Sequence, residues 1–327
     1  MLKILYAASN NENAKIQLSR FHKAMEGKPY SLKVAAYKKS SPNINIDWTL
    51  DCLQNVFRPE HISLDNDNFF TYYEQVKYFN PDLIISDMEY YTSYIANALD
   101  ITLWQCSSSL INFALSGPYK YDLGVFKRYA YLFNKNPIST QRLVNIIDNS
   151  NCNFVYSHFA DTASPPPIKD NFEWIRPYYV IGKEYMPCQH NIVAGSLTNN
   201  KRIVQLLKKY SDSIYFTEFL EEEHSNPAIK DIKNQEEFFC NLRNSNMFVC
   251  EGQTSFLADA FYNCKYTGVL VNLQDAECVI NSTISEKLGL STCIYQATDS
   301  LESIINLSVM PVINEKTKFL HEKVEEI

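Results

Sequence analysis

Three short stretches in the second half of the chain carry residue types that can hold a phosphorylated sugar. Cys250-Glu251-Gly252-Gln253-Thr254-Ser255 follows an apolar run and precedes a helical pattern. A helix start there offers unpaired N–H groups and a partial positive charge, both suited to phosphate. Gly252 allows close backbone approach, and the Thr254 and Ser255 hydroxyls can add hydrogen bonds. Plain helix capping by Thr or Ser explains the same residues without a ligand. Gly195-Ser196-Leu197-Thr198-Asn199 is placed the same way after another apolar run. It also reads as a tight turn with an N-cap. Gln274-Asp275-Ala276-Glu277, with Asn281 downstream, puts carboxylates where they can accept both hydroxyls of a ribose or sugar. Acids also suit the first turn of a helix on their own account.

Alternating strands and helices position these turns. In the first third, Leu2–Ala7, Leu32–Tyr37, Leu83–Asp87 and Ile101–Cys106 read as short apolar strands. Asn13–Met25, Phe69–Tyr78 and Tyr91–Leu99 read as the helices between them. That alternation predicts an α/β fold, with a parallel sheet covered on both faces. Ser109–Asn149 is aromatic-rich and helical, and Phe154–Tyr156 is a strand. Ser164-Pro165-Pro166-Pro167 cannot be helix interior or central strand. Strand–helix alternation restarts at Asn191, with strands at Ser213–Phe216, Asn246–Cys250, Gly268–Val271 and Cys293–Tyr295. Helices are expected up to Tyr210, around Phe238–Leu242, and over Thr254–Tyr262 and Glu277–Leu288, the last closed by Gly289. The domains are therefore placed at 1–165 and 191–310, with a linker at 166–190 and a C-terminal helix in 311–327, over Glu315–Glu326. Ligands of open α/β sheets bind at the carboxyl ends of the strands, which puts a cleft between two such domains. Asp87 stands at such an end.

Composition removes several function classes. The chain has 327 residues, 46% hydrophobic and 20% charged, which is globular rather than disordered or collagen-like. Its net charge of −7 leaves no surplus of Lys and Arg for a broad basic face, so there is no strong nucleic-acid signal. The nine cysteines are odd in number and form no CxxC pair, which argues against a zinc knuckle and for a reducing, cytoplasmic compartment. Neither His22 nor His158 has metal-site spacing. A strand begins at Met1-Leu2-Lys3, so no leader is expected, and no apolar run nears the ~20 residues of a transmembrane segment. In that compartment the sequons at Asn281 and Asn306 are chance matches. Only eight glycines are present, which is the sharpest objection to a phosphate site.

The order and spacing of the three turns resemble the donor-binding half of GT-B glycosyltransferases of the UDP-glycosyltransferase kind. The matching elements are Ala194-Gly195-Ser196, Cys250 to Ser255, and Asp275-Ala276-Glu277 with Asn281, closing at Leu288-Gly289. Asn80-Pro81-Asp82-Leu83-Ile84-Ile85-Ser86-Asp87 is similar to a strand of the family's first domain, and Pro177 suits its linker. Two departures stand out. Glu251-Gly252-Gln253 replaces a common His-Gly-Gly turn. The first loop, Ala7-Ala8-Ser9-Asn10-Asn11-Glu12-Asn13, has no glycine, and Glu12 stands where the family often has a His.

The resemblance implies two Rossmann-like domains facing a central cleft and a metal-independent, Leloir-type transferase with no separate cofactor. Its donor would be a nucleoside-diphosphate sugar, held by Gly195, Ser196, Thr198, Glu251, Gly252, Gln253, Thr254, Ser255, Asp275 and Glu277. The first domain would bind an unidentified acceptor (a small molecule, lipid-linked sugar or protein), with Glu12 or Asp87 as catalytic base. The 22 Tyr, 19 Phe and 3 Trp supply an acceptor pocket around Tyr90, Tyr91, Trp104 and residues 110–135, or ordinary core. Glu12 equally suits a helix's first turn. Two alternatives stay open: a sugar-nucleotide epimerase of the same architecture, and a non-catalytic nucleotide-sugar-binding relative, which the missing glycines and His favour.

Overall fold

The computed structural model describes residues 1–9, 12–37, 45–50, 66–117, 137–182, 192–195, 200–207, 213–216, 229–231, 235–263, 265–272, 276–294 and 311–327. Two compact units emerge. Unit 1 comprises Met1–Tyr156, Pro167–Arg176 and Lys318–Ile327; unit 2 comprises Ser157–Pro166 and Pro177–Thr317.

Unit 1 is built on a seven-stranded parallel sheet. In chain order its elements are β1 (Lys3–Ala8), α1 (Glu12–Met25), β2 (Ser31–Ala36), β3 (Trp48–Thr49), α2 (Asn66–Phe79), β4 (Leu83–Asp87), α3 (Tyr90–Ala98) and β5 (Thr102–Ser107). Then follow α4 (Ile111–Ala114), α5 (Pro137–Asp148), β6 (Cys152–Tyr156), β7 (Glu173–Ile175) and, at the C-terminus, α10 (Leu320–Val324). The spatial order is β3-β2-β1-β4-β5-β6-β7. β4 is buried along its whole length, as a strand with neighbours on both sides and helices on both faces must be. α1 buries Ile16, Leu18, Phe21 and Met25, and the Phe21 ring lies 5.1 Å from that of Tyr6 on β1. α2 ends at Asn80 (φ 49) and α3 at Asp100 (φ 54). Asn and Asp tolerate this left-handed geometry better than most residues, so glycine is not needed at either end.

Unit 2 repeats the plan with six parallel strands. Its elements are β8 (Ile192–Gly195), α6 (Asn200–Leu207), β9 (Ser213–Phe216), β10 (Ile229–Asp231), α7 (Gln235–Asn244), β11 (Met247–Glu251), α8 (Thr254–Tyr262), β12 (Tyr266–Leu270), α9 (Ala276–Lys287) and β13 (Ser291–Ile294). The order is β10-β9-β8-β11-β12-β13. All nine residues of α8 are buried, so this helix lies inside its unit rather than on its surface. Gly289 (φ 71) closes α9, as its position after the helical pattern suggests.

Both sheets are the Rossmann-like parallel sheets expected from the alternation. The unanticipated strands β3, β7 and β10 are two or three residues long and lie at sheet edges, too short for a periodic pattern to show. The charged tail differs from its expected helix. Only Leu320–Val324 is helical: Glu315 takes φ 33 and the backbone N–H groups of residues 316 and 317 bond Asp161 instead of a helix.

Candidate functional site

In each sheet the strand order reverses beside the first strand of its unit, between β1 and β4 and between β8 and β11. Such a reversal leaves a crevice at the carboxyl ends of the two strands. Register makes the neighbours explicit: Ala8 pairs with Asp87, and Gly195 with Cys250. The end of β1 therefore stands beside Asp87 at the end of β4. Gly195 and Cys250, far apart in sequence, thus lie side by side near the ends of their strands.

In unit 2, β11 delivers Glu251 fully buried, and Gly252 and Gln253 lead into α8. Gln253 is the N-cap in extended conformation (φ −69, ψ 139), yet its side chain makes no bond to the helix start. Instead its Nε2 donates to Glu251 Oε2 at 2.8 Å. Thr254 Oγ1 donates to Glu277 Oε1 at 3.1 Å, and Asn281 Nδ2 donates to Thr254 Oγ1 and to the Gly252 carbonyl, both at 3.0 Å. Thr254, Glu277 and Asn281 thus tie α8 to the first turns of α9. Ser255 is fully buried. Asn281 is 2% exposed, so its sequon is closed to modification in the folded chain.

The two glycines here have packing reasons. A Cβ on Gly252 would lie 2.5 Å from the Cys278 carbonyl oxygen and 2.5 Å from Ser282 Oγ, so α9 approaches too closely for any other residue. A Cβ on Gly195 would press on the Phe256 and Phe248 rings at 3.0 and 3.3 Å. Ser196, Thr198 and Asp275 lie outside the described residues.

In unit 1, Asp87 ends β4 and is 3% exposed. Met88 follows at φ 52, an uncommon backbone state for a residue with a side chain. Glu89 then caps α3: its carboxylate accepts from Tyr91 N at 3.3 Å and Thr92 N at 2.7 Å. Burial is the chief effect on its acidity, and pushes the Glu89 carboxyl above the ordinary carboxylate range. On the other side of Asp87, Asn13 Nδ2 donates to Ser108 Oγ at 2.6 Å, joining the start of α1 to the end of β5. Glu12 is the first residue of α1, and its side chain lies outside the described residues. Of the expected acceptor-side aromatics, Tyr91 is buried in the core beneath α3, and Trp104 packs on Phe154 at 5.1 Å.

Sequence reading missed Glu89 because glutamate is not among the preferred N-cap types, and missed Met88 because nothing in its type signals a left-handed turn. It also missed Asp161 in unit 2. This fully buried carboxylate accepts from Tyr262 OH at 2.6 Å, Lys316 N at 2.6 Å and Thr317 N at 2.9 Å. Burial drives the nearby His158 imidazole down to a pKa of about 3. It also raises the Cys106 and Cys250 thiols well above their usual range. Among the described residues no helix is long and apolar enough to cross a membrane.

No protein-family model and no curated protein sequence matches the chain. Solved structures do. The spinosyn forosaminyltransferase SpnP is similar with a TM-score of 0.61 at 13% identity, over 94% of this chain and 89% of that one. Streptomyces sp. SF2575 glycosyltransferase SsfS6 gives 0.60 at 10% identity, over 94% and 90%. The spinosyn rhamnosyltransferase SpnG complexed with thymidine diphosphate gives 0.58 at 11% identity, over 94% and 92%. The fold is therefore that of the GT-B glycosyltransferases, as the sequence resemblance implies.

Proposed function

We propose that the chain is a glycosyltransferase that moves a sugar from a nucleoside-diphosphate donor to an acceptor hydroxyl. One observation carries the reading. The helix that leaves the switch-point strand of unit 2 has an N-cap whose side chain does not cap it. Its leading N–H groups and dipole suit the diphosphate of a donor. The SpnG and SsfS6 structures with thymidine diphosphate support the same assignment by likeness of fold.

In this reading unit 2 holds the donor and unit 1 the acceptor. Asp87 or Glu12 takes the proton from the acceptor hydroxyl as its oxygen attacks the anomeric carbon. The bond between that carbon and the diphosphate oxygen breaks, and the diphosphate leaves with the electron pair. Helix N–H groups at the start of α8 stabilise the charge that develops on it, which is a role a metal ion fills in other transferases. Calorimetric titration with UDP, GDP and dTDP sugars tests the donor assignment. Micromolar to millimolar binding of at least one is expected, and binding of none refutes the reading.

A further inference from the structure

The start of α8 holds one group that its own hydrogen bonds do not use. Gln253 is 5% exposed, and no donor among the described residues reaches its Oε1. Its Nε2 donates to Glu251 Oε2 at 2.8 Å. That bond fixes the amide: turning it over would set two acceptor oxygens against each other. Oε1 is thus held as a buried acceptor at the mouth of a nine-residue helix, where leaving it without a donor is costly.

A diphosphate cannot supply the missing donor, because its oxygens are acceptors at neutral pH. A sugar hydroxyl can. We infer that Gln253 accepts a hydrogen bond from a hydroxyl of the donor's sugar, so that Gln253 marks the sugar end of the site and the diphosphate lies away from its Oε1. The inference rests on the reading that unit 2 holds a nucleotide sugar, and it adds which group of that ligand this residue reads. Gln253 stands where the resembling family often has glycine, so the specificity would belong to this chain's own departure from the pattern.

The experiment compares equilibrium binding of thymidine diphosphate with thymidine diphosphate glucose, and of UDP with UDP-glucose, to the full chain and to Gln253→Met. Gln253→Leu serves as a second variant, and the thermal midpoint of each checks folding. The natural chain is expected to favour each sugar nucleotide over its bare diphosphate by about tenfold. The variants should lose most of that preference while their affinity for the bare diphosphates changes less than about twofold. A preference that survives substitution, or an equal loss for both ligands, overturns the inference. If the natural chain binds none of the four nucleotides and no GDP-sugar, the donor reading fails by itself. Gln253 is then decided by saturation-transfer NMR with free glucose, N-acetylglucosamine and rhamnose. Sugar signals seen with the natural chain and lost in both variants support it, and their absence from the natural chain overturns it. A crystal of the sugar-nucleotide complex in which no sugar hydroxyl donates to Oε1 also overturns it.

Discussion

The start of α3 in unit 1 and the start of α8 in unit 2 occupy the same place in their sheets and are built in opposite ways. Each follows a strand at the reversal of strand order. α3 carries its own anion, since the Glu89 carboxylate accepts from two leading N–H groups. α8 carries none, because the Gln253 side chain turns away to Glu251. Two helix ends with the same dipole are therefore finished differently: one is capped by the side chain just before it, the other is not. The contrast teaches that a switch point supplies a location, while the residue just before the helix decides whether a ligand can use it. The same contrast runs through the two turns, with a buried acid at the β4 terminus of unit 1 and a helix without a side-chain cap in unit 2.

The largest effect expected at these two turns is at Gly252. Gly252→Ala places a Cβ 2.5 Å from a carbonyl oxygen of α9, and backbone cannot yield as a side-chain tip can. A loss of about 3 kcal/mol or more is expected by chemical denaturation, at the top of the range for overpacking. No glycine stands at the corresponding turn of unit 1, where Met88 takes the unusual φ. If Gly252→Ala folds with unchanged stability, the close seat of α9 against the turn is wrong.

Next comes the way each unit holds the C-terminal chain. In unit 2 the buried Asp161 binds Lys316 N, Thr317 N and Tyr262 OH. In unit 1 the tail is tied by the partly exposed Lys28–Glu325 pair. Asp161→Ala leaves the buried Tyr262 hydroxyl and two part-buried backbone N–H groups unmatched and should cost about 3 kcal/mol, whereas Glu325→Ala, at a solvent-exposed pair, should cost far less. Equal costs, measured by urea midpoints, would dissolve this difference.

What could be read from the sequence follows from the physics of each element. The central strands were legible because burial on both faces requires apolar runs such as Leu83-Ile84-Ile85. α8 was legible to the residue, since capping-type residues at Thr254 and Ser255 open a mainly apolar pattern that ends at Tyr262. Three edge strands were not, because two or three residues carry no period. At the candidate site, the turns at Gly195, Gly252 and Glu277 could be named, but the reason for glycine could not. Packing of Phe256 and α9 requires it, and those contacts join residues far apart in sequence. Nor could the sequence show that Thr254 spends its hydroxyl on Glu277, or that Asp161 gathers donors from two other segments.

A smaller effect should appear on acidification. His158 in unit 2 is 2% exposed, and burial lowers its pKa from 6.5 to about 3. The unfolded chain binds a proton there as pH falls through 6.5, while the folded chain stays neutral until about 3. Stability from this group is therefore full above pH 6.5 and declines as pH falls from 6.5 toward 3. Between pH 7 and 5 the expected loss is about 2 kcal/mol. His158→Phe should flatten that part of the pH profile of the urea midpoint. If the profile keeps its slope in the variant, other groups drive it. Glu89 in unit 1 works in the opposite sense, because burial raises its pKa and its penalty grows as pH rises above the ordinary carboxylate range.

The smallest expected difference addresses the two helix starts directly. Glu89→Ala removes the acceptor of two backbone N–H groups and should cost about 1–2 kcal/mol, the usual worth of an N-cap. Glu89→Gln keeps an acceptor oxygen and sheds the buried charge, so it should recover most of that loss and gain on the natural chain as pH rises. Gln253→Ala removes no cap bond, and gives up one side-chain bond to Glu251 together with an unmatched buried acceptor. These two terms oppose each other, and the net change should lie within about 0.5 kcal/mol. The contrast then predicts a pattern across three variants rather than one number: a loss at Glu89→Ala, its rescue at Glu89→Gln, and near neutrality at Gln253→Ala. If Gln253→Ala costs as much as Glu89→Ala, then Gln253 is holding α8 together, and that helix start is not free for a donor's diphosphate.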